Sequence, residues 1–314
     1  MSKWTTADIP DQTGRTVLIT GANSGLGLFS ARALAAKGAR VLLACRSVER
    51  GEQALRTVRA GARTTPKLIQ LDLADLDSVR YAAAEVRETT GDALDVLMNN
   101  AGLMATPKGL TSDGFELQFG TNHLGHAALT WLLMPALRGG GNARVVTLSS
   151  MAARGARIDL ADPNFEHRRY NPGVAYGQAK LANQVFALEL DRRLRAAGET
   201  VTSIAAHPGY TATGLNAAMS RSYPNKLIRS TLGNITRLGD LLFAQNVRMG
   251  ALPQLYAATA PGVNGGDYVA PGGPAGMRGY PRIVQPLKAA LDHRAGVGLW
   301  EVTAKLTGIA PDPA

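Results

Sequence analysis

The feature that most constrains the fold of this chain is a regular alternation of short apolar runs with longer segments of helical spacing. The apolar runs lie at residues 15–20, 39–45, 67–72, 94–100, 143–150, 200–206 and 266–271. They are nearly continuous, which is typical of strands whose two faces are both covered by helices. The pattern therefore predicts an α/β fold with a doubly wound parallel sheet and helices on both faces.

Composition narrows the class of protein further. No break in composition divides the 314 residues, so we expect a single domain over 1–314, with a substrate loop at 214–240 and a tail at 271–314. The single cysteine, Cys45, excludes an internal disulfide framework. The net charge of +10 is scattered, and no aromatic residues interleave the longest basic cluster, so we expect no nucleic-acid partner.

The N-terminal residues contain no apolar signal-peptide core. No run approaches the roughly 18–20 apolar residues that a membrane span needs. These observations predict a cytoplasmic protein without a membrane span.

A glycine-rich turn follows the first predicted strand and precedes the first predicted helix. It reads Thr20-Gly-Ala-Asn-Ser-Gly-Leu-Gly27, with glycines at 21, 25 and 27. Glycines permit a tight turn and let backbone N–H groups approach a pyrophosphate at the positive end of a helix. The position of the turn within the strand–helix pattern therefore predicts a dinucleotide phosphate site.

The end of the second strand bears on the choice of cofactor. An acidic residue near this point binds the ribose 2′-hydroxyl of NAD, whereas an arginine suits the 2′-phosphate of NADP. The sequence here is Ala44-Cys45-Arg46, with no acid. We therefore expect NADP(H) to be preferred over NAD(H), with a solvated surface role for Arg46 as the alternative.

Tyr176 and Lys180 are four residues apart at the start of a predicted helix. Residues at this spacing share a helix face, so the phenol and the ammonium point the same way. A cation near a phenol favours the phenolate and lowers the pKa of the tyrosine. The pair therefore predicts a general acid/base for a carbonyl or an alcohol, although this spacing alone is common by chance.

Other polar groups also lie where predicted strands end. Ser149 and Ser150 close the fifth strand, and neighbouring strand residues point to opposite faces, so one of the two can face a substrate. Asn99 and Asn100 close the fourth strand, and Asn122 lies on the helical stretch that follows. Ligands of open α/β sheets bind at these carboxyl ends.

Four ordered motifs, TGANSGLG, NNAG, YGQAK and HPGYTAT, give the chain its resemblance to the short-chain dehydrogenase/reductase family over roughly residues 12–215. The resemblance implies a single-domain Rossmann fold with about seven parallel strands. It also implies hydride transfer between nicotinamide C4 and a carbonyl or alcohol.

The same resemblance implies roles for individual residues. Tyr176 would exchange the proton, Lys180 would lower its pKa and bind the nicotinamide ribose, Ser150 would bind the substrate oxygen, and Asn122 would hold a relay water. Ser149 is the alternative to Ser150. The expected cofactor-binding residues are Gly21, Ser24, Gly25, Leu26, Gly27, Arg46, Asp72, Leu73, Asn99, Ala101, Gly102, Tyr176, Lys180, Pro208 and Thr213.

A polar insertion at 151–175 separates Ser150 from Tyr176 by 26 positions. This insertion is similar to that of the retinol dehydrogenase-like and protochlorophyllide reductase-like branch, which implies a bulky, apolar small-molecule carbonyl or alcohol as the substrate.

A homo-oligomer is left open, since relatives commonly pair through helices. The alternative function is a catalytically idle NADP-binding sensor or scaffold, which would be expected to lose one of Asn122, Ser150, Tyr176 and Lys180. No metal site is expected.

Overall fold

One sheet runs through the part of the chain that this computed structural model describes, residues 3–211, 219–220, 222–223, 225 and 244–314. Its strands are β1 (Thr16–Thr20), β2 (Arg40–Cys45), β3 (Lys67–Gln70), β4 (Val96–Asn99), β5 (Arg144–Leu148), β6 (Thr202–Ala206), β7 (Tyr268–Pro271) and β8 (Pro281–Val284). Their spatial order is β3-β2-β1-β4-β5-β6-β7-β8. All neighbouring pairs are parallel except β7 and β8, which are antiparallel.

Helices cover both faces of this sheet. They are α1 (Gly25–Ala36), α2 (Val48–Arg59), α3 (Leu76–Thr90), α4 (Leu117–Phe119), α5 (Gly125–Gly139), α6 (Pro172–Ala196), α7 (Val247–Thr259) and α8 (His293–Thr307). A π turn, Gly120–Leu124, joins α4 to α5. Short 3₁₀ turns occupy Thr6–Asp8, Met151–Ala153, Pro274–Gly276 and Lys288–Ala290.

Apolar side chains form one core layer on each face of the sheet. Residues of α1, α2 and α7 pack on one face, and those of α3, α5, α6 and α8 pack on the other. The second layer contains a buried aromatic cluster in which Trp300 of α8 lies 4.9 Å from Trp131 and 5.5 Å from Phe186, measured between ring centroids. The near-continuous apolar strands are thus buried on both sides, as the sequence pattern predicts.

The seven predicted strands are confirmed, and the sheet has an eighth strand that the sequence analysis did not predict. Strand β8 lies in a Gly/Pro-rich stretch, begins at Pro281 and has two exposed residues, Arg282 and Ile283. Proline at the first position of an edge strand costs no ladder hydrogen bond. A stretch rich in glycine and proline predicts a loop. The pairing with β7, which local sequence does not reveal, makes this segment a strand.

Helix α6 begins at Pro172, four residues before Tyr176, rather than near the tyrosine. The Asn171 side chain caps the helix by accepting hydrogen bonds from the N–H groups of Gly173 and Val174, and Pro172 occupies the first turn. Tyr176 and Lys180 therefore lie in ordered helix rather than at a fraying end.

The insertion at 151–175 packs against the segment that follows β4. Phe165 is buried, and the Tyr170 hydroxyl donates to the carbonyl oxygen of Thr106 at 3.0 Å. The Asn164 side chain accepts from the N–H of Glu116. The insertion therefore buttresses the segment over residues 103–120.

The chain leaves β3 at one edge of the sheet and continues with β4 on the other side of β1, so the strand order reverses between β1 and β4. In open α/β sheets this reversal creates a crevice at the carboxyl ends of the strands. Within the described residues, no helix combines the length and apolar character needed to cross a membrane.

Candidate active site

A cleft of about 290 Å³ opens at the reversal between β1 and β4. Thirteen of the predicted site residues line it, and they come from widely separated parts of the sequence. They are Gly21, Ser24, Gly25, Leu26, Gly27, Arg46, Asp72, Leu73, Ala101, Gly102, Tyr176, Lys180 and Pro208. Thr213 and most of the loop 214–240 lie outside the described residues.

The glycine-rich turn lies at one end of the cleft and closes tightly on the end of β4. Gly21 has a φ of +66°, and a Cβ there would come within 3.0 Å of Ala101. A Cβ on Gly27 would lie 2.6 Å from the carbonyl oxygen of Gly21. Side chains are therefore excluded at these positions, which leaves the backbone and the N-terminus of α1 to face the cleft.

Two arginines lie beside this turn. Arg46 follows β2, and Arg50 lies in the first turn of α2, where the Ser47 side chain accepts a hydrogen bond from its N–H at 3.3 Å. Arg46, Ser47 and Arg50 all line the cleft. Arg50 and Ser47 were not predicted. The signal in the sequence is that the helix after Arg46 begins here, with Ser47 as its N-cap and Arg50 in its first turn.

Cys45, the residue before Arg46, is buried at the tip of β2. Burial raises the pKa of its thiol to about 11, and the charge of Arg50 opposes this shift. The thiol is therefore protonated at neutral pH and fills space in the core.

Tyr176 and Lys180 lie on the same side of α6 and face the cleft, as their spacing predicts. Both side chains are almost fully buried, and Lys180 Nζ lies 6.0 Å from the centroid of the Tyr176 ring. Lys180 Nζ donates to the carbonyl oxygen of Leu148, the last residue of β5, at 3.1 Å. Helix α6 thus holds both groups against the carboxyl end of the sheet.

The ionisation of this pair differs from the sequence expectation. Burial raises the pKa of the Tyr176 phenol above its ordinary value, and a hydrogen bond with the Ser150 hydroxyl opposes that shift. Burial also lowers the pKa of Lys180 to about 8. The predicted lowering of the pKa of the tyrosine is therefore wrong, because loss of water around the phenol is the largest cause of its shift.

The two serines at the end of β5 point to different partners. The Ser149 hydroxyl is buried and donates to the carbonyl oxygen of Lys180 at 2.7 Å. The Ser150 hydroxyl bonds Tyr176 and also accepts from the N–H of Ala152 at 3.2 Å. Ser149 lines the cleft and Ser150 is not among its lining residues, yet the hydroxyl that hydrogen-bonds the phenol is that of Ser150.

Asn99 does not lie in the cleft, which corrects its predicted place at the adenosine ribose. Its side chain is fully buried and donates to the hydroxyls of Thr130 and Thr147 at 3.0 and 3.3 Å. The next residue, Asn100, lines the cleft, and its Nδ2 donates to the carbonyl oxygen of Thr20 at 2.7 Å. Adjacent side chains leave a strand on opposite faces, and the face that each takes depends on the packing.

Asn122 lies in the π turn, and its side chain pairs with the backbone of Leu103. Its Oδ1 accepts from the Leu103 N–H at 2.7 Å, and its Nδ2 donates to the Leu103 carbonyl oxygen at 2.9 Å. A Cβ on Gly102 would lie 3.1 Å from Asn122 Oδ1 and 3.3 Å from Lys180 Nζ. Gly102 therefore lets the segment after β4 pass between these two groups.

Asp72, a predicted residue, and His207, which was not predicted, each accept a hydrogen bond from a nearby backbone N–H. Asp72 follows β3, and its Oδ1 accepts from the N–H of Ala74. His207 precedes Pro208 and accepts from the N–H of Gly209 at its Nδ1. Among the described residues, no group of His, Cys, Asp and Glu side chains could hold a metal ion.

Comparisons with known proteins agree with this geometry. Residues 15–224 match the family model of the short chain dehydrogenase. The chain is 38% identical to human (Homo sapiens) retinol dehydrogenase 12 over 305 residues, which cover 94% of this chain and 87% of that protein. It is 38% identical to polyprenol dehydrogenase of Mus musculus over 307 residues, covering 96% and 86%.

Solved structures with the same fold give a consistent result. A crystal structure of an uncharacterized protein from Mycobacterium Paratuberculosis superposes with a TM-score of 0.79 at 43% identity, covering 98% of each chain. A short chain dehydrogenase from Burkholderia cenocepacia, in complex with NADP, has a TM-score of 0.60 at 25% identity, covering 80% of this chain and 93% of that one. The chain therefore belongs to the short-chain dehydrogenase family of oxidoreductases and is retinol dehydrogenase-like within it.

Proposed function

We propose that the protein is an NADP(H)-dependent oxidoreductase that interconverts a carbonyl and an alcohol, with Tyr176 as general acid/base. The observation that carries this proposal is the position of Tyr176 in the cleft, where it lies beside Lys180 and shares the cleft with the glycine-rich turn Gly21–Gly27. The phenol and the ammonium thus share one cleft with a turn suited to a dinucleotide.

The chain's residues fit a nicotinamide dinucleotide. When bound, this cofactor supplies or accepts a hydride at its nicotinamide C4. The turn over Gly21–Gly27 and the N-terminus of α1 would hold the pyrophosphate, since a Cβ on Gly21 or Gly27 would obstruct the backbone. Asp72 and Leu73 would lie at the adenine, Ala101 and Asn100 at the adenosine ribose, Lys180 at the nicotinamide ribose, and Pro208 and Thr213 near the carboxamide.

The preference for NADP(H) over NAD(H) rests on Arg46 and on Arg50. Both line the cleft next to the glycine turn, and a guanidinium forms paired hydrogen bonds with a phosphate. The ribose 2′-phosphate is the group that distinguishes the two cofactors. Two cations at this end of the cleft would therefore favour NADP(H), the cofactor with the additional phosphate.

The protonation state of Tyr176 supports transfer of a proton from the phenol to the substrate oxygen. Burial raises the pKa of Tyr176 and so favours the protonated phenol, the form that donates to a carbonyl oxygen as that carbonyl is reduced. The Ser150 hydroxyl would bind the same oxygen. Lys180 and a water held at Asn122 would return a proton to the phenol.

We infer a bulky, apolar substrate. Leu103 and Leu148 line the cleft. The related proteins are a retinol dehydrogenase and a polyprenol dehydrogenase by name, which suits an apolar alcohol or aldehyde. The cytoplasmic location stays a prediction.

The test uses the purified full-length chain with a panel of aldehydes, ketones and quinones of increasing apolar size. We expect saturable oxidation of NADPH, faster than that of NADH, and a rate that rises with the apolar size of the substrate. Fluorescence titration with NADPH measures binding separately. NADPH binding without turnover of any substrate would favour a sensor or scaffold, and the absence of both would overturn the proposal.

A further inference from the structure

His126 lies in the first turn of α5, directly after the π turn, and its ring is buried. It does not line the cleft. Its two ring nitrogens nevertheless contact two parts of the site. Nε2 lies 2.9 Å from the Thr20 hydroxyl at the end of β1, and Nδ1 lies 2.9 Å from the carbonyl oxygen of Asn122.

The hydrogen-bond partners of Thr20 determine the proton on the Nε2 side. Thr20 Oγ1 accepts from the N–H groups of Asn100 and Ala101, each at 2.9 Å. A hydroxyl has two acceptor sites and one hydrogen, so these two bonds leave only its hydrogen to share. That hydrogen can go to His126 Nε2 at 2.9 Å or to the carbonyl oxygen of Met98 at 3.3 Å, and the shorter contact is the one to the histidine.

The other ring nitrogen fixes the tautomer. A carbonyl oxygen can only accept, so Nδ1 must carry a hydrogen and donate it to Asn122. Burial lowers the pKa of His126 to about 4, so the ring is neutral at pH 7 and its Nε2 is an acceptor. Every hydrogen in the series from Asn100 and Ala101 through Thr20 and His126 to Asn122 then points in the same direction, an arrangement in which each bond strengthens the next.

The far end of this series lies next to Lys180. The side chain of Asn122 holds both backbone groups of Leu103, and Asn122 Oδ1 and Lys180 Nζ both lie within 3.3 Å of the position that a Gly102 Cβ would take. A rotation of Asn122 would therefore move Leu103 and Gly102 relative to the ammonium. The near end holds Asn100 and Ala101, which line the cleft beside the glycine turn.

We infer that His126, as its Nδ1–H tautomer, is a positioning residue that orients the cofactor end of the cleft through Thr20 and the catalytic end through Asn122. This inference rests on the proposed oxidoreductase function. The two ring nitrogens have separate roles, since Nε2 orients the turn after β4 through Thr20, whereas Nδ1 orients Asn122 beside Lys180.

Two variants separate these roles. In His126→Asn the amide replaces the Nδ1 donor to Asn122 and the link to Thr20 is lost. In His126→Gln the amide reaches Thr20 and the bond to Asn122 is lost. His123→Asn and His123→Gln are matched controls, because His123 lies in the preceding π turn and is equally buried but bonds Thr303 of α8.

We expect opposite effects in the two variants. His126→Gln lowers kcat by about tenfold or more with little change in the Kd of NADPH, since small displacements of a positioned group cost large factors in rate. His126→Asn keeps kcat close to the wild-type value and weakens NADPH binding. The His123 controls lose thermal stability and change neither constant. A parallel loss of kcat and NADPH affinity in both His126 variants, or no change in either, would overturn the inference.

A second measurement does not depend on turnover. The ¹⁵N NMR spectrum of histidine-labelled wild-type protein should show His126 protonated at Nδ1 and unprotonated at Nε2, and the reverse would contradict the inferred role. Amide exchange of Leu103 should be faster in His126→Gln than in the wild type, and an unchanged rate would also count against it. If the wild type binds NADPH but turns over no substrate, the proposed function fails while these two measurements still decide the role of His126.

Discussion

The two ends of the cleft are built in different ways. At the phosphate end, the site consists of backbone groups at the glycine turn and of arginines beside it, with Arg46 exposed. At the catalytic end, Tyr176 and Lys180 are almost fully buried, and burial displaces the pKa of each. One end thus depends on local backbone conformation, whereas the other depends on removal of water by surrounding residues.

The largest effect is expected at the catalytic end. Tyr176→Phe should lower kcat by about 10²–10⁴-fold, because the general acid is lost, and should leave the Kd of NADPH unchanged. Steady-state kinetics and fluorescence titration measure the two constants. Tyr256→Phe, on α7 beside Trp4, is a matched control and should change neither. A Tyr176→Phe enzyme with the wild-type kcat would remove the phenol from the reaction.

At the phosphate end the effect should appear in the choice of cofactor. Arg46→Asp should reduce the preference for NADPH over NADH by about 10- to 100-fold, the worth of a hydrogen bond to a charged group. Ratios of kcat/KM for the two cofactors measure this preference. Arg56→Asp, an exposed arginine further along α2, makes the same charge change outside the cleft. If both variants shift the preference equally, net charge and not a 2′-phosphate contact is responsible.

The neighbouring residues Asn99 and Asn100 allow a comparison of a buried side chain with one that lines the cleft. Asn99→Ala should lower the free energy of unfolding by about 1–3 kcal/mol, because it removes hydrogen bonds to two buried hydroxyls, and should leave NADPH binding unchanged. Asn100→Ala should weaken NADPH binding instead. Denaturant unfolding and cofactor titration distinguish the two. Weaker NADPH binding in Asn99→Ala alone would restore the ribose contact predicted from the sequence.

The smallest effect, taken per pH unit, concerns the buried charge of Lys180. Its pKa falls from 10.5 to about 8 on burial, so between these values the unfolded chain binds more protons than the folded one. The free energy of unfolding of the cofactor-free protein should therefore rise with pH in this window, by at most about 1.4 kcal/mol per pH unit from this group. Lys180→Met should lack that contribution. Equal pH slopes for wild type and variant between pH 8 and 10.5 would contradict the lowered pKa.

Sequence reasoning located the strands and the cleft residues well wherever the information was local. Continuous apolar runs marked the seven parallel strands, and the glycine spacing marked the turn because a side chain at Gly27 would meet the backbone of Gly21. It failed at β8, at Asn99 and at the pKa of Tyr176. In each case the outcome depends on a partner distant in sequence: β7 for the strand, Thr130 and Thr147 for the asparagine, and the surrounding core for the phenol.

The sequence by itself determined the parallel α/β architecture, the glycine turn and the shared helix face of Tyr176 and Lys180, because these follow from periodicity and backbone sterics over a few residues. Only the tertiary structure decided which of Ser149 and Ser150 bonds the phenol, which of Asn99 and Asn100 reaches the cleft, and which tautomer His126 adopts. Those choices depend on desolvation and on the partners available to each polar atom, and both arise only when distant segments pack together.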